Sequence, residues 1–208
     1  MKLRELSVQT IPKHKNQKAF NSGCWCIKEM YWYQLKNLST KDIAKLVVIL
    51  GEDKPTKRFK NILSIYRAFD FDNYFKKKDY EKKKIVLQIL HADLSAIADE
   101  QGIDRKILNH AFQYCVNHNL ENRWLFKNKC FKSPNNKYYG AVECDWEIDK
   151  FTATGIIFDN KKNELWRERL IETEPYFGDF IYYCKCGWDD NVFFLQSKEK
   201  DRWQIFLK

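Results

Sequence analysis

The chain has 208 residues, which suits one large domain or two small ones with a core that needs no disulfide or metal staple. With 44% apolar and 31% charged residues, and only seven Gly and four Pro, the composition excludes a disordered chain and long flexible linkers. The net charge of +9 is unevenly placed: residues 1–120 carry 22 Lys and Arg against 13 Asp and Glu, while residues 121–208 carry 15 of each, so any pull on an anionic partner belongs to the first part.

Leu6, Val8 and Ile11 fit a strand, and the aromatic-rich segment from Cys24 to Leu35 fits a buried element, strand or helix. Ser39-Thr40-Lys41-Asp42 resembles a capping box and predicts a helix that Gly51 closes. Pro55 suits the first turn of another helix, on which Phe59, Ile62, Leu63 and Tyr66 would share a face. Asp70 to Phe75 reads as a turn carrying aromatic anchors. A long helix is expected from Asp79 to Asp99, with Val86, Ile89, Leu90, Leu94 and Ile97 on one side and Gly102 at its end; Asp104 then caps a helix holding Ile107, Leu108, Ala111, Phe112 and Cys115.

After Asn119 the period changes from helical to alternating. Tyr138 to Asp149 and Phe151 to Phe158 read as strands, Asp159 to Asn163 as a turn, and Glu164 to Glu172 as the returning strand. Phe180 to Cys186, a turn over Gly187 to Asn191, and Val192 to Ser197 predict a further hairpin, followed by a strand at Trp203 to Leu207. Helices followed by hairpins predict an α+β fold: a mostly helical, basic region over 1–120 packed with an antiparallel meander over 121–208, as two regions or a single domain.

The start, Met1-Lys2-Leu3-Arg4-Glu5-Leu6, lacks the apolar core of a signal peptide, and Leu46 to Leu50 is too short to span a bilayer. Seven cysteines without an export signal read as reduced thiols. A cytoplasmic chain with no membrane partner is the expectation. No phosphate-binding glycine loop, nucleophile elbow or zinc-protease motif is present, and His14, His91, His110 and His118 never reach metal spacing. The expectation is a non-enzyme without cofactor or metal. The two C-x-C steps, Cys24/Cys26 and Cys184/Cys186, would place sulfurs about 7 Å apart on strands, against about 3.8 Å between thiolates on one zinc.

Three charged features remain. On a strand, Glu143, Asp145, Glu147 and Asp149 would line one face, and Val142, Cys144, Trp146 and Ile148 the core face. That acidic strip is either an exposed face paired with residues such as Arg167 and Arg169, or a contact for a basic protein partner, with Trp188, Asp189 and Asp190 of the last hairpin beside it. Ile97 to Leu108 has helix-turn-helix grammar, which would turn Arg105, Lys106, Asn109 and His110 to DNA, with Trp124 to Tyr139 as a wing and Lys82, Lys83 and Lys84 on phosphates; Gln101 stands where such turns bury an apolar residue. The lysine-rich run from Lys76 to Lys84 is either a solvated helix start or a phosphate contact.

The stretch from Phe69-Asp70-Phe71-Asp72-Asn73-Tyr74-Phe75, through Glu81 to Leu94, to Gly102-Ile103-Asp104, together with Ser133-Pro134-Asn135-Asn136-Lys137-Tyr138-Tyr139, resembles small bacterial immunity proteins of polymorphic-toxin and contact-dependent inhibition systems, over about residues 60–172. The resemblance implies a cytosolic inhibitor that occludes one toxin, a nuclease or another toxin acting in the cytosol, and does no chemistry itself. Immunity proteins against nucleases are commonly acidic, whereas this chain is basic overall, so a basic toxin would have to meet the sheet and an acidic one the helices. The winged-helix nucleic-acid binder is the alternative reading.

Overall fold

The computed structural model describes residues 1–35, 37–175 and 182–207, and its contacts divide the chain into two units, 1–121 and 122–208. The fold is α+β, with the helices in the first unit and antiparallel sheets in the second.

The first unit runs β1 (Glu5–Thr10), α1 (Gln17–Gln34), β2 (Lys45–Gly51), β3 (Lys57–Phe59), β4 (Ile62–Ala68), α2 (Phe71–Phe75), α3 (Asp79–Ala96), α4 (Ala98–Gln101) and α5 (Arg105–Asn117). Its strands form one sheet in the order β1-β2-β4-β3, in which β1, β2 and β4 are parallel and β3 is an antiparallel edge. Two expected helices are therefore strands. The segment 39–50 yields β2 because Leu46-Val47-Val48-Ile49-Leu50 occupies the sheet's middle between two parallel strands, with Leu46, Val48 and Leu50 buried on the helix side and Val47 buried on the other. Segment 55–66 yields the β3–β4 hairpin, turned by Lys60 at φ 52°. Phe59, Ile62, Leu63 and Tyr66 satisfy helical spacing, yet Leu63 faces the core while Ile62 and Tyr66 share the opposite face, a strand's distribution.

One face of this sheet presents Leu6, Val8, Leu46, Val48, Leu50 and Leu63, all buried. The helices lie on that side. Helix α1 buries Phe20, Cys24, Ile27 and Tyr31 at helical spacing, with the Cys24 thiol against the Val8 carbonyl. Helix α3 places Asp93, 1% exposed, on the Arg67 guanidinium of β4, whose Nε lies 2.7 Å from Oδ1. Asp70 caps α2 by accepting from the Asn73 amide (3.0 Å), and Asp104 caps α5 by accepting from the Lys106 amide (2.8 Å). Gly102 ends α4 in the left-handed region at φ 65°. Gln101 is buried because its backbone carbonyl and side-chain Oε1 receive the Lys41 and Asp42 amides, so the polar residue in that turn anchors the loop before β2.

The second unit contains β5 (Asn122–Leu125), a single 3-10 turn at Phe126–Asn128, β6 (Phe131–Lys132), β7 (Tyr138–Trp146), β8 (Phe151–Asp159), β9 (Glu164–Thr173), β10 (Tyr183–Asp189), β11 (Val192–Ser197) and β12 (Arg202–Phe206). One sheet has the order β5-β7-β8-β9 with β6 also on β7; the other is β10-β11-β12. β5 and β6 each pair with β7 and not with each other, so 124–139 is the rim of a sheet instead of a hairpin wing. β10 runs through Gly187, Trp188 and Asp189, so the last hairpin turns on Asp190 and Asn191 alone, Asp190 taking φ 50°. Phe180 and Ile181, expected in that strand, lie outside the described residues.

The two sheets meet at two glycines. A Cβ on Gly140 of β7 would stand 2.3 Å from the Phe193 ring of β11, and one on Gly155 of β8 would stand 2.6 Å from Ile205 of β12. The bare backbone lets both apolar side chains, buried to 0% and 2% exposure, lie directly on the five-stranded sheet. Gly140→Ala should lower the unfolding free energy by about 1–3 kcal/mol in urea titration, and Phe193→Leu in the same chain should restore part of the loss.

Candidate interaction site

Alternation along β7 is real but shorter than the sequence implies. Val142, Cys144 and Trp146 are buried and Glu143 and Asp145 face the other way, but the strand stops at Trp146. Glu147 and Asp149 therefore belong to the turn before β8, where the Glu147 amide donates to the Lys150 carbonyl. The four carboxylates are two on a strand and two in a turn. The strand pair is also neutralised across the sheet: Arg123 of β5 lies 2.8 Å from Asp145, and Arg167 of β9 lies 2.8 Å from Glu143. Arg167 also grips Glu164 through Nε and Nη2, both at 2.9 Å. Hydrogen bonding to Glu164, and secondarily to Glu143, holds its guanidinium proton more firmly than usual, and Arg167 in turn holds the Glu164 carboxyl below the ordinary range. Arg169, expected on the strip, pairs with Glu172 of its own strand. The face is thus a mixed-charge lattice and not an acidic patch.

Trp188 is half-buried on β10, its indole N–H donating to the Phe131 carbonyl at 2.8 Å and its ring against Phe193 at 5.2 Å. Asp189 pairs with Arg202 at 3.2 Å, and Asp190 is exposed in the turn. On the helices, Arg105, Lys106, Asn109 and His110 are all exposed on α5, but Arg105 is committed to Asp99 by two bonds of 3.1 and 3.0 Å. Lys82 pairs with Asp79 at 2.9 Å, Lys83 is only 5% exposed, and Lys84 is exposed. Lys83 therefore cannot stand on a phosphate with its neighbours in this conformation.

The most exposed strand of the unit is one the sequence did not single out. Residues 164–169 of β9 are all exposed, with Leu165 at 53% and Trp166 at 54%. β9 is the edge of the five-stranded sheet, paired with β8 alone among the described residues. Its register slips twice: Phe158 opposes Glu164 while Ile157 opposes Trp166, and Thr154 opposes Arg169 while Ala153 opposes Ile171. Leu165 and Leu170 are thus extra residues of two β-bulges, which re-aim side chains at a sheet edge. The sequence signal is present in hindsight: the apolar doublets Leu165-Trp166 and Leu170-Ile171 each break the period-two pattern that a regular strand would keep.

Other reactive groups serve packing. Burial pushes the thiols of Cys115, Cys144 and Cys186 up to about 12, so they are protonated at neutral pH. Cys24 and Cys26 sit on helix α1, not on a strand, and both are buried. Among the described residues no group of three or more His, Cys, Asp or Glu is placed to hold a metal ion, and no helix is long and apolar enough to cross a membrane. Comparison with protein-family models, with curated proteins and with solved structures finds no match to the chain.

His91 joins α3 to its neighbours: Nδ1 lies 3.1 Å from the Tyr31 hydroxyl and the ring packs on Phe112 at 4.6 Å. Burial lowers its pKa in the folded protein, while the unfolded chain titrates normally, near 6.5. The unfolded state then binds more protons on the acid side, so this group's contribution is present above the unfolded pKa and is lost as pH falls below it. Thermal unfolding followed between about pH 7 and 5 should show a smaller acid-side loss of stability in His91→Gln than in the wild type.

Proposed function

We propose that this chain is a cytoplasmic immunity protein that binds a cognate bacterial toxin and neutralises it by occlusion, without chemistry of its own. The observation that carries the reading is the β9 edge. Six consecutive exposed strand residues place a tryptophan and a leucine among Arg167, Arg169, Glu164 and Glu168, and Trp and Arg are the residue types that dominate binding hot spots. The strand is already hydrogen-bonded in register to β8, which reduces the ordering cost of association. The family resemblance over about residues 60–172 supplies the kind of partner, and the exposed residues 164–169 of β9 fall within that span.

The paired state of Glu143 and Asp145 shifts the expected contact away from a bare acidic strip. In register, Trp166 and Glu168 stand beside Ile157 and Gly155 on one side of β9, while Glu143, Arg167 and Arg169 stand on the other. A toxin would therefore grip the strand edge itself, with charge fixing register on one side and the Trp166 ring fixing residence time on the other. The polar rim would include Glu147 and Asp149, while Asp189 and Asp190, at the end of the strand that packs over β6 and β7, stand away from β9.

The test is protection. Cells making the toxin domain encoded beside this gene should survive when the chain is co-produced. Trp166→Ala should weaken toxin binding about 30-fold or more, as expected of a hot-spot tryptophan, with thermal unfolding nearly unchanged. Replacing Glu143, Asp145, Glu147 and Asp149 with Ser or Asn should have the smaller effect. Failure of the wild-type chain to protect or to bind that toxin would remove the reading.

A further inference from the structure

The sheet of the first unit has a second face, turned away from the helices. Its register brings Glu5, Lys45 and Ile62 into one row, Ser7, Val47 and Ser64 into the next, and Gln9, Ile49 and Tyr66 into a third. The β3 edge adds Phe59 opposite Ile62 and Lys57 opposite Ser64. Apart from Val47, every one of these residues is exposed or half-exposed. Phe59 is 70% exposed, more than any other phenylalanine on the described surface except Phe206, which matches it.

Two aromatic rings on this face each carry a lysine ammonium. Lys60 Nζ lies 5.7 Å from the centre of the Phe59 ring, and Lys57 Nζ lies 5.9 Å from the centre of the Tyr66 ring. The rings sit on one ribbon, separated by four residues of β4, roughly 13 Å. Beside them Ser7, Gln9 and Ser64 offer hydroxyl and amide groups, and Lys45 is held by Glu5 at 2.7 Å.

We infer that this face is a stacking platform for single-stranded nucleic acid. A flat base finds a ring to stack on at Phe59 and again at Tyr66. The lysine beside each ring is placed to meet the neighbouring phosphate, and the serine and glutamine side chains can reach base edges or a ribose hydroxyl. A repeated pair of ring and cation along one line fits a polymer that repeats base and phosphate. The charge agrees, because the whole excess of 22 Lys and Arg over 13 Asp and Glu lies in residues 1–120. A duplex keeps its bases stacked on each other and could use only the lysines. The platform does not depend on the β9 surface or on the toxin reading, and it is not the α5 surface expected from the helix-turn-helix pattern.

Fluorescence anisotropy of the full chain with a short labelled oligonucleotide of mixed sequence, as RNA, as single-stranded DNA and as duplex, tests this. At low salt one or both single strands should bind, and the duplex should bind more weakly. Phe59→Ala and Tyr66→Leu should each weaken single-strand binding about tenfold. Lys57→Gln and Lys60→Gln should each flatten the salt dependence by about 0.7 in the log–log slope. Arg105→Ala should leave binding unchanged. Because Phe59 is exposed, its truncation should leave thermal unfolding intact, so lost binding will not reflect lost fold. No binding of either single strand, equal binding of duplex, affinity indifferent to both ring substitutions, or displacement by polyglutamate as readily as by unlabelled single strand would each overturn the platform. Toxin protection by the Phe59→Ala variant should be unaffected, which keeps the two readings separable.

Discussion

The close approach of two sheets at Gly140 and Gly155 is the constraint on which the second unit depends. Phe193 and Ile205 can lie on the five-stranded sheet only because those two backbone positions carry no Cβ. That contact buries Val142, Cys144, Trp146 and Ile157 and gives β7 a definite inner face. With the inner face committed, Glu143 and Asp145 must look outward, and the cross-strand arginines meet them there. The charge lattice is therefore a consequence of packing on the opposite side of the same strand.

In the first unit the corresponding role belongs to β2, covered on both edges by parallel strands. A sheet buried on one face beneath α1 and α3 leaves its other face as the place where exposed aromatics can stand. The Arg67–Asp93 pair ties the end of β4 to α3, and a carboxylate only 1% exposed finds its charged partner in that guanidinium. The helix layer is thereby fixed to one side, which is what leaves Phe59 and Tyr66 uncovered.

What could be read from the sequence follows from how local the determining forces are. Capped helices were partly legible: Asp104 caps α5 where expected, and Gly102 closes the helical stretch that opens at Asp79. That stretch breaks at Ile97 into α3 and α4 instead of running on as one helix. So was the Asp159 turn, whose carboxylate accepts from the Lys161 and Asn163 amides, both at 2.8 Å. The inner face of β7 was legible because alternation is a property of one strand. Strand β2 was not, since an unbroken apolar run suits a central strand and a buried helix alike. The charge pairing of Glu143 was half legible: Arg167 was foreseen, but Arg169 turned to Glu172 because a bulge at Leu170 shifts the register between them. Trp166 was missed because its exposure depends on where the second sheet ends, which no local pattern encodes.

The alternating charges of β9 also decide what the edge refuses. In a regular antiparallel pair of two copies, any two-fold register centred from Trp166 to Leu170 sets Arg opposite Arg or Glu opposite Glu: Glu164 against Glu168, Arg167 or Arg169 against itself, Glu168 against itself, or Glu168 against Glu172. Like charges directly opposed are unfavourable, so the strand is discouraged from growing its own sheet into a fibre while remaining open to a differently patterned strand. The chain can thus keep an apolar, hydrogen-bond-ready edge in a crowded solution without that edge seeding its own aggregation.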